Sequence, residues 1–435
     1  MYAHLSTYGI AVGSVLLAKL LLSVRRTRRG RRTAWRPGPP FTIAAVITVY
    51  NEAPEMLRRC LVSLLQQTRQ PQMVTVVDDA SRDMSAAAVV RDLHRVFTAA
   101  GIELRFIRFP VNRGKRHGLA AGFTQAPDAD LYLCVDSDTV LDEHAVDEAV
   151  RPFSKRRVNA VTGLVLAHNR ARNLLTRLID MRYVNAFLGE RVAYGRLGSV
   201  LCACGSLALY RGWVVRKYLD DFLNQTFLGR PATFGDDRRL TFYCLLEGLS
   251  VIQPTALAWT DVPERLGHYT RQQIRWGKSF IRESLLMLGT WRILRVCWWL
   301  SLLELIMWAT FTAALIAALV AAAVHPAGPA ILAGYLAYAC AMAWLRSLHY
   351  LRAAARVPLA DRVMTFAAAP LYALLNLGLL LPLRLWSLAT LRDNAWGTRH
   401  KGAEITTGTP AALIPHPTTH DEHDTVPIRT VTHQT

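Results

Sequence analysis

Apolar residues in the first half of the chain come in short runs rich in Val and Ile, at 43–49 (IAAVITV), 73–77 (MVTVV), 104–109 and 131–135 (LYLCV). Runs of this length and composition, bounded by polar residues, predict strands. Between the first two, residues 55–67 place Met56, Leu57, Leu61, Leu64 and Leu65 at helical spacing, which predicts an amphipathic helix. Strands that alternate with helices need crossover connections, and these make consecutive strands parallel within one covered sheet. The expectation for residues 41–280 is therefore a doubly wound α/β domain. Ligands of such a sheet bind outside the carboxyl ends of its strands.

The pattern changes towards both ends. Residues 5–24 are apolar and are followed at once by Arg25, Arg26, Arg28, Arg29, Arg31 and Arg32. That order predicts an uncleaved anchor over 1–24 with its N-terminus outside, and a basic linker over 25–40 inside. Residues 281–299 mix Arg282, Arg292 and Arg295 with Leu, Ile and Trp, as in a helix lying flat in the membrane interface. From 300 to 392 the chain reads as membrane-embedded. Residues 300–324 are long enough to cross and are broken only by Glu304, a bundle-interior contact or a channel-mouth residue. A second crossing is expected at 330–348. Residues 363–391 contain Pro370 and Pro382 and either cross with a kink or re-enter. The polar tail, 393–435, reads as disordered.

Composition fits this division. A hydrophobic fraction of 52% and a mean hydropathy of +0.18 are high for a chain wholly in water. Lys and Arg number 51 against 32 acidic residues. The densest basic cluster sits beside the anchor, however, and no zinc-finger spacing or RNA-binding signature accompanies it, so nucleic acid is not the expected partner. Seven cysteines without a CxxC pair read as reduced thiols in a cytosolic compartment.

The candidate chemistry lies just past the strands. Asp78-Asp79-Ala80-Ser81 follows the second, Asp136-Ser137-Asp138 follows the fourth, and Gly235-Asp236-Asp237-Arg238 lies farther on. One such pair is more often a helix cap or a turn. Three on one predicted sheet point instead to a shared cation or polar ligand, and Asp136 with Asp138 has the spacing to hold Mg²⁺ or Mn²⁺. The loop carrying Lys115 and Arg116 could bring cations to a diphosphate.

Taken together, Tyr50-Asn51-Glu52, DDAS, GKRHG, DSD, GDDR and QQIRW resemble, in order and spacing, the processive family 2 glycosyltransferases, membrane polymerases that build polysaccharide from nucleotide-sugars. The resemblance implies a cytosolic GT-A domain on a multi-pass cell-membrane protein. Its partners would be UDP-sugar donors, the growing polysaccharide acceptor and the lipid bilayer. It also implies roles: Asp78, Asp79 and Glu52 at the nucleotide, Lys115, Arg116 and Asp136 near the diphosphate, and Asp138 with Asp136 at the metal. Asp237, with Asp236 beside it, would be the base, and Gln272, Arg275 and Trp276 would form the QxxRW acceptor motif. RWGKSFIRES and GDDRRLT resemble hyaluronan synthases, while CACGSLALYR resembles a segment these share with nodulation-type chitooligosaccharide synthases, with Ser206 in place of their usual Pro. The implied reaction is hyaluronan-like, from UDP-GlcNAc and UDP-GlcA. Chitin-type or poly-N-acetylglucosamine synthesis from UDP-GlcNAc is the second reading, and a non-processive transferase acting on a lipid carrier the third.

Overall fold

The computed structural model describes residues 2–24, 39–353, 357–392 and 429–430. The arginine cluster at 25–32 and, apart from Arg429–Thr430, the polar tail lie outside the described residues. Four predicted strands appear where the apolar runs put them: β1 (Ile43–Val49), β2 (Met73–Asp78), β3 (Glu103–Arg108) and β4 (Leu131–Asp136). Later come β5 (Val140–Leu141), β6 (Val158–Ala167), β7 (Ala208–Arg211), β8 (Leu249–Thr260) and the short β9 (Arg429–Thr430). They form one sheet in the order β9-β3-β2-β1-β4-β7-β6-β8-β5. Strands β1 to β4 are parallel, whereas β7 runs antiparallel between β4 and β6.

Helix α1 (Tyr2–Val24) precedes the sheet, and α2 (Pro54–Leu65) and α3 (Ser85–Ala99) cover one of its faces. On the other face, α4 (Lys115–Thr124) lies directly on β1. Gly118 and Gly122 permit that approach, because a Cβ on either would come within 2.8 and 2.2 Å of Thr48 and Val46. The result is that the first residue of α4, Lys115, stands over the carboxyl ends of the strands.

After α5 (Leu174–Val184) come α6 (Asp236–Glu247) and α7 (Leu266–Gly289), which carry the GDDR and QxxRW motifs. Buried Arg239 of α6 meets buried Glu283 of α7 through two hydrogen bonds, Nε to Oε2 at 2.7 Å and Nη2 to Oε1 at 3.2 Å. Gly235, in the left-handed region at φ +96°, lies against Ser279, where a Cβ would be 2.4 Å from the hydroxyl. The flat helix expected from Ile281 does not form as a separate element. Residues 281–289 continue α7, and Ile281, Ser284 and Met287 are buried.

Three helical stretches are long and apolar enough to cross a membrane: α8 (Val296–Val324), Gly328–Leu351, which contains α9 (Gly328–Arg346), and Ala369–Ala389, which contains α10 (Ala369–Leu375) and α11 (Leu381–Ala389). Glu304 of α8 is a bundle-interior contact: it pairs with Lys19 of α1 at 2.6 Å and accepts a hydrogen bond from Tyr194. The third stretch touches the α/β domain at several points. Tyr372 meets Tyr269, Leu380 packs with Ile179 and Val262, Ser387 donates to the Ile274 carbonyl, and Leu391 accepts from Arg282 Nε at 3.0 Å.

Removing one partner of a buried ion pair costs about 3–5 kcal/mol because a charge is left without compensation, whereas replacing both with apolar groups is far milder. Glu283→Ala is therefore expected to lower the melting temperature of the detergent-solubilised protein by several degrees. Arg239→Met combined with Glu283→Leu should recover most of the loss in the same thermal scan.

Candidate active site

The parallel strands end together, and the acidic residues at their ends take different parts. Asp78 is fully buried and accepts from the Ser81 amide at 2.9 Å. Asp79 accepts from the backbone amides of Arg113 and Gly114 at 2.6 and 2.8 Å, so its carboxylate holds the turn that leads into Lys115. Both residues thus shape the two loops a nucleotide would meet at this edge. Glu52 accepts from Ser137 at 3.0 Å through Oε2, while its buried Oε1 has no hydrogen-bond partner.

At the centre, Lys115 pairs with Asp136 Oδ1, and Ser206 donates to Asp136 Oδ2 at 3.0 Å. Burial alone would lower the Lys115 ammonium, but Asp136 first, then Asp237 and Asp236, more than reverse this. Burial would likewise raise Asp136, and Lys115 and Ser206 outweigh it, so the carboxyl lies below its ordinary value. The pair is ionised on both sides.

Asp138 behaves oppositely. Burial, then the charges of Asp136 and Glu52, push it well above the usual carboxylate range despite a hydrogen bond from Thr260 at 3.0 Å. Among the described residues, no three His, Cys, Asp or Glu side chains gather into a ready-made metal cage. A hard cation held by one or two carboxylates, with its other positions left for diphosphate oxygens and water, does fit here. It would relieve the repulsion at Asp138.

The GDDR pair divides. Asp236 turns inward to a buried ion pair with Arg116 Nε at 2.9 Å, which fastens α6 to α4. Arg116 is thereby committed to the fold and not to an open site. Asp237 turns outward, half-exposed, with the Cys202 thiol 3.4 Å from Oδ2. On α7, Trp276 remains 40% exposed, with the Arg182 guanidinium 5.3 Å from its ring and Tyr183 at 6.3 Å between centroids. The same Tyr183 is within electrostatic reach of Cys204, Asp138 and Asp136, which links the Trp276 surface to the carboxylate end. Gln272 Oε1 is buried without a partner.

Several residues of this site escaped sequence reasoning. Asp261 directly follows β8, is buried, and pairs with His168 at 3.2 Å, while Arg59 meets the other nitrogen of that ring at 2.9 Å. Its charge bears on both Asp138 and Glu52. The strand-end rule that exposed the other carboxylates would have found Asp261 had β8 been read as a strand. Ser206, Thr260, Arg182 and Tyr183 carry no comparable signal.

Residues 39–279 match the sequence model of the glycosyltransferase-like family 2. The chain is 36% identical to hyaluronan synthase of Streptococcus pyogenes over 409 residues, covering 91% of this chain and 92% of that one. The chain belongs to family 2 of the glycosyltransferases. An N-acetylglucosaminyltransferase of Sinorhizobium fredii is 34% identical over 87% of this chain and 89% of its own. Among solved structures, a mannosyltransferase from Pyrobaculum calidifontis, in complex with GDP-Man and Mn²⁺, superposes with a TM-score of 0.49 at 18% identity, covering 90% of this chain and 98% of that one. The protein is a glycosyltransferase, and the α/β sheet with its carboxylate-lined edge is the catalytic domain.

The Glu52 carboxyl is pushed up to about 7 from 4.5, by burial first and then by Asp136 and Asp261, with the Ser137 bond pulling the other way. A carboxyl whose folded value exceeds its unfolded one stabilises the fold while protonated, and that contribution is lost as pH rises. Thermal scans in EDTA are expected to show stability falling from about pH 4.5 to about pH 7, with the slope flattened in Glu52→Gln.

Proposed function

We propose that this glycosyltransferase is a hyaluronan synthase-like polymerase that transfers sugars from UDP-GlcNAc and UDP-GlcA on the cytosolic face and passes the growing chain across the membrane. Asp237 removes the proton of the acceptor hydroxyl as that oxygen attacks the anomeric carbon, with UDP departing from the opposite face and the configuration inverting. Lys115 and Arg275 hold the charge that develops on the leaving diphosphate. Asp138, with Asp136 beside it, would hold Mg²⁺ or Mn²⁺, which would supply further neutralisation of that charge. Glu52, Asp78 and Asp79 shape the uridine end. Trp276, with Arg182 and Tyr183 against its ring, offers an apolar platform for the terminal acceptor sugar, and Gln272 belongs to the same motif on the helix.

The observation that carries the choice of polymer is the charge above Trp276. Arg182, Arg346 and Arg384 lie within electrostatic reach of one another and of Tyr372. Arg346 pairs with Glu190, which also lies within reach of Lys19 and Arg191. Among the described residues, five cations, Lys19, Arg182, Arg191, Arg346 and Arg384, therefore accompany two carboxylates, Glu190 and Glu304. A positive surplus suits a polymer with a carboxylate on every second sugar, and a GlcNAc-only chain has no use for it.

We read the third apolar stretch as re-entrant: it meets the domain at Tyr269 and Ile274, and its middle, Leu377 and Leu381, packs against Leu315 and Tyr335 of α8 and α9. Re-entry keeps both its ends on one side, and with α1, α8 and α9 crossing, an outside N-terminus then agrees with a cytosolic tail.

Two outcomes are expected. Purified protein with Mn²⁺ should release UDP and form hyaluronidase-sensitive polymer only when both sugars are present, and Asp237→Asn should cut release by about 10²–10⁴-fold while UDP still binds. Robust turnover on UDP-GlcNAc alone, with a chitinase-sensitive product, would sink the hyaluronan reading. Secondly, an epitope at the C-terminus should be cleaved by protease in inverted vesicles and protected in intact spheroplasts; the reverse pattern would refute the cytosolic tail.

A further inference from the structure

Between the end of α7 and the first turn of α8, the chain turns its apolar side chains out. Leu294 is 97% exposed, Trp291 78%, Ile293 50% and Val296 43%, and Trp299 one turn on is 56% exposed. An apolar cluster of this kind on a surface marks an interaction site. The segment is not loose. Trp299 Nε1 donates to the Ile293 carbonyl at 2.8 Å, Trp298 Nε1 to the Leu288 carbonyl at 3.0 Å, and the Ile293 amide to the Trp291 carbonyl at 2.8 Å. Trp291 sits in the left-handed region at φ +52°, unusual for a bulky residue.

The arginines within the segment point the other way. Arg292 Nη1 donates to the Leu246 carbonyl at 3.1 Å, and Arg295 Nη1 to the Leu245 and Gly248 carbonyls at 3.2 and 3.4 Å. These carbonyls close the C-terminal end of α6, where cations are favoured by the helix dipole. The N-terminal end of the same helix carries Asp237. The tip of the turn is thus left free of charge, while its base grips the helix of the proposed catalytic base.

We propose that residues 291–296 form a wedge inserted into the boundary between lipid headgroups and acyl chains, and that the bilayer, through Arg292 and Arg295, sets the position of α6. The inference rests on α8 being a membrane span. Lipid is the occupant because the exposed side chains run without a break into that span, and because aromatic residues at its start belong at the interface. The wedge makes the membrane surface a positioning element for the active site and not only a barrier for the product to cross.

The test uses the full-length protein in phosphatidylcholine–phosphatidylglycerol nanodiscs with lipids spin-labelled near the headgroup or deep in the acyl chain. An environment-sensitive dye is placed on Leu294→Cys or, as a control deeper in α8, on Ile306→Cys, which is also exposed, with the wild-type chain as the labelling blank. The Leu294 dye is expected to be quenched by the shallow spin label and shielded from aqueous iodide, and the Ile306 dye by the deep label. Iodide-accessible Leu294 dye beside lipid-quenched Ile306 dye overturns the wedge and leaves the span intact. Leu294 dye shielded from both iodide and lipid also overturns it, in favour of contact with a second copy. Failure of lipid to quench either dye removes the span reading itself. Arg295→Ala is expected to lower turnover several-fold with KM for the donor unchanged; a change in KM alone would break the link to α6.

Discussion

A guanidinium and a carboxylate can leave water together only if each satisfies the other, and the bidentate contact of Arg239 with Glu283 does this between two stretches far apart in the chain. One partner belongs to GDDRR, the other to RWGKSFIRE. Gly235 pressed on Ser279 adds a steric lock beside the electrostatic one. Together they hold the helix whose first turn carries Asp237 against the helix that carries Trp276, so the proposed base and the proposed acceptor platform are fixed to one another. Several residues that make these motifs distinctive are therefore structural fasteners, and the chemistry falls to their neighbours.

A second constraint acts at the strand ends. Parallel strands deliver Glu52, Asp136, Asp138 and Asp261 to one edge, and the electrostatic cost is divided unequally. Asp136 is answered by Lys115 and Ser206 and stays ionised, whereas Glu52 and Asp138 are driven towards their neutral forms. Such divergence between neighbouring carboxyls marks a functional site more often than a structural one. It also makes the edge receptive to a cation, because each positive charge brought in relieves repulsion already present.

The strands and the acidic clusters were legible because each rests on local pattern: a β-branched run of the right length, and a carboxylate just past its end. What needed the fold was direction. Asp236 and Asp237 are adjacent in sequence, but successive helical residues point about 100° apart, so one meets Arg116 in the interior and the other faces the site. Asp261 was missed because β8, LSVIQPTALAWT, contains a proline and pairs with β6 through shifts of register, which blur the strand pattern. The last apolar stretch reads by composition as a span. That it also touches Tyr269, Ile274 and Arg282 needed the fold, because those partners are about a hundred residues distant in sequence.

Those same contacts explain why the QxxRW motif sits where soluble and membrane parts of the chain meet. One face of α7 is fixed to α6 by Glu283, and another lies against α11, where Gly277 approaches Ser387 so closely that a Cβ would be 2.9 Å from its hydroxyl. Trp276 is thus held between the carboxylate edge and the cationic cluster of Arg182, Arg346 and Arg384. In the proposed reaction, a polymer extended at Asp237 would have its newest sugar on the Trp276 surface and the next ones among those arginines. An acceptor platform placed elsewhere on the domain would need a separate route from site to bilayer, with the chain exposed to water between them. Placing it on a helix clamped from both sides would remove that gap, so that the proposed step that lengthens the chain would also move it towards the membrane.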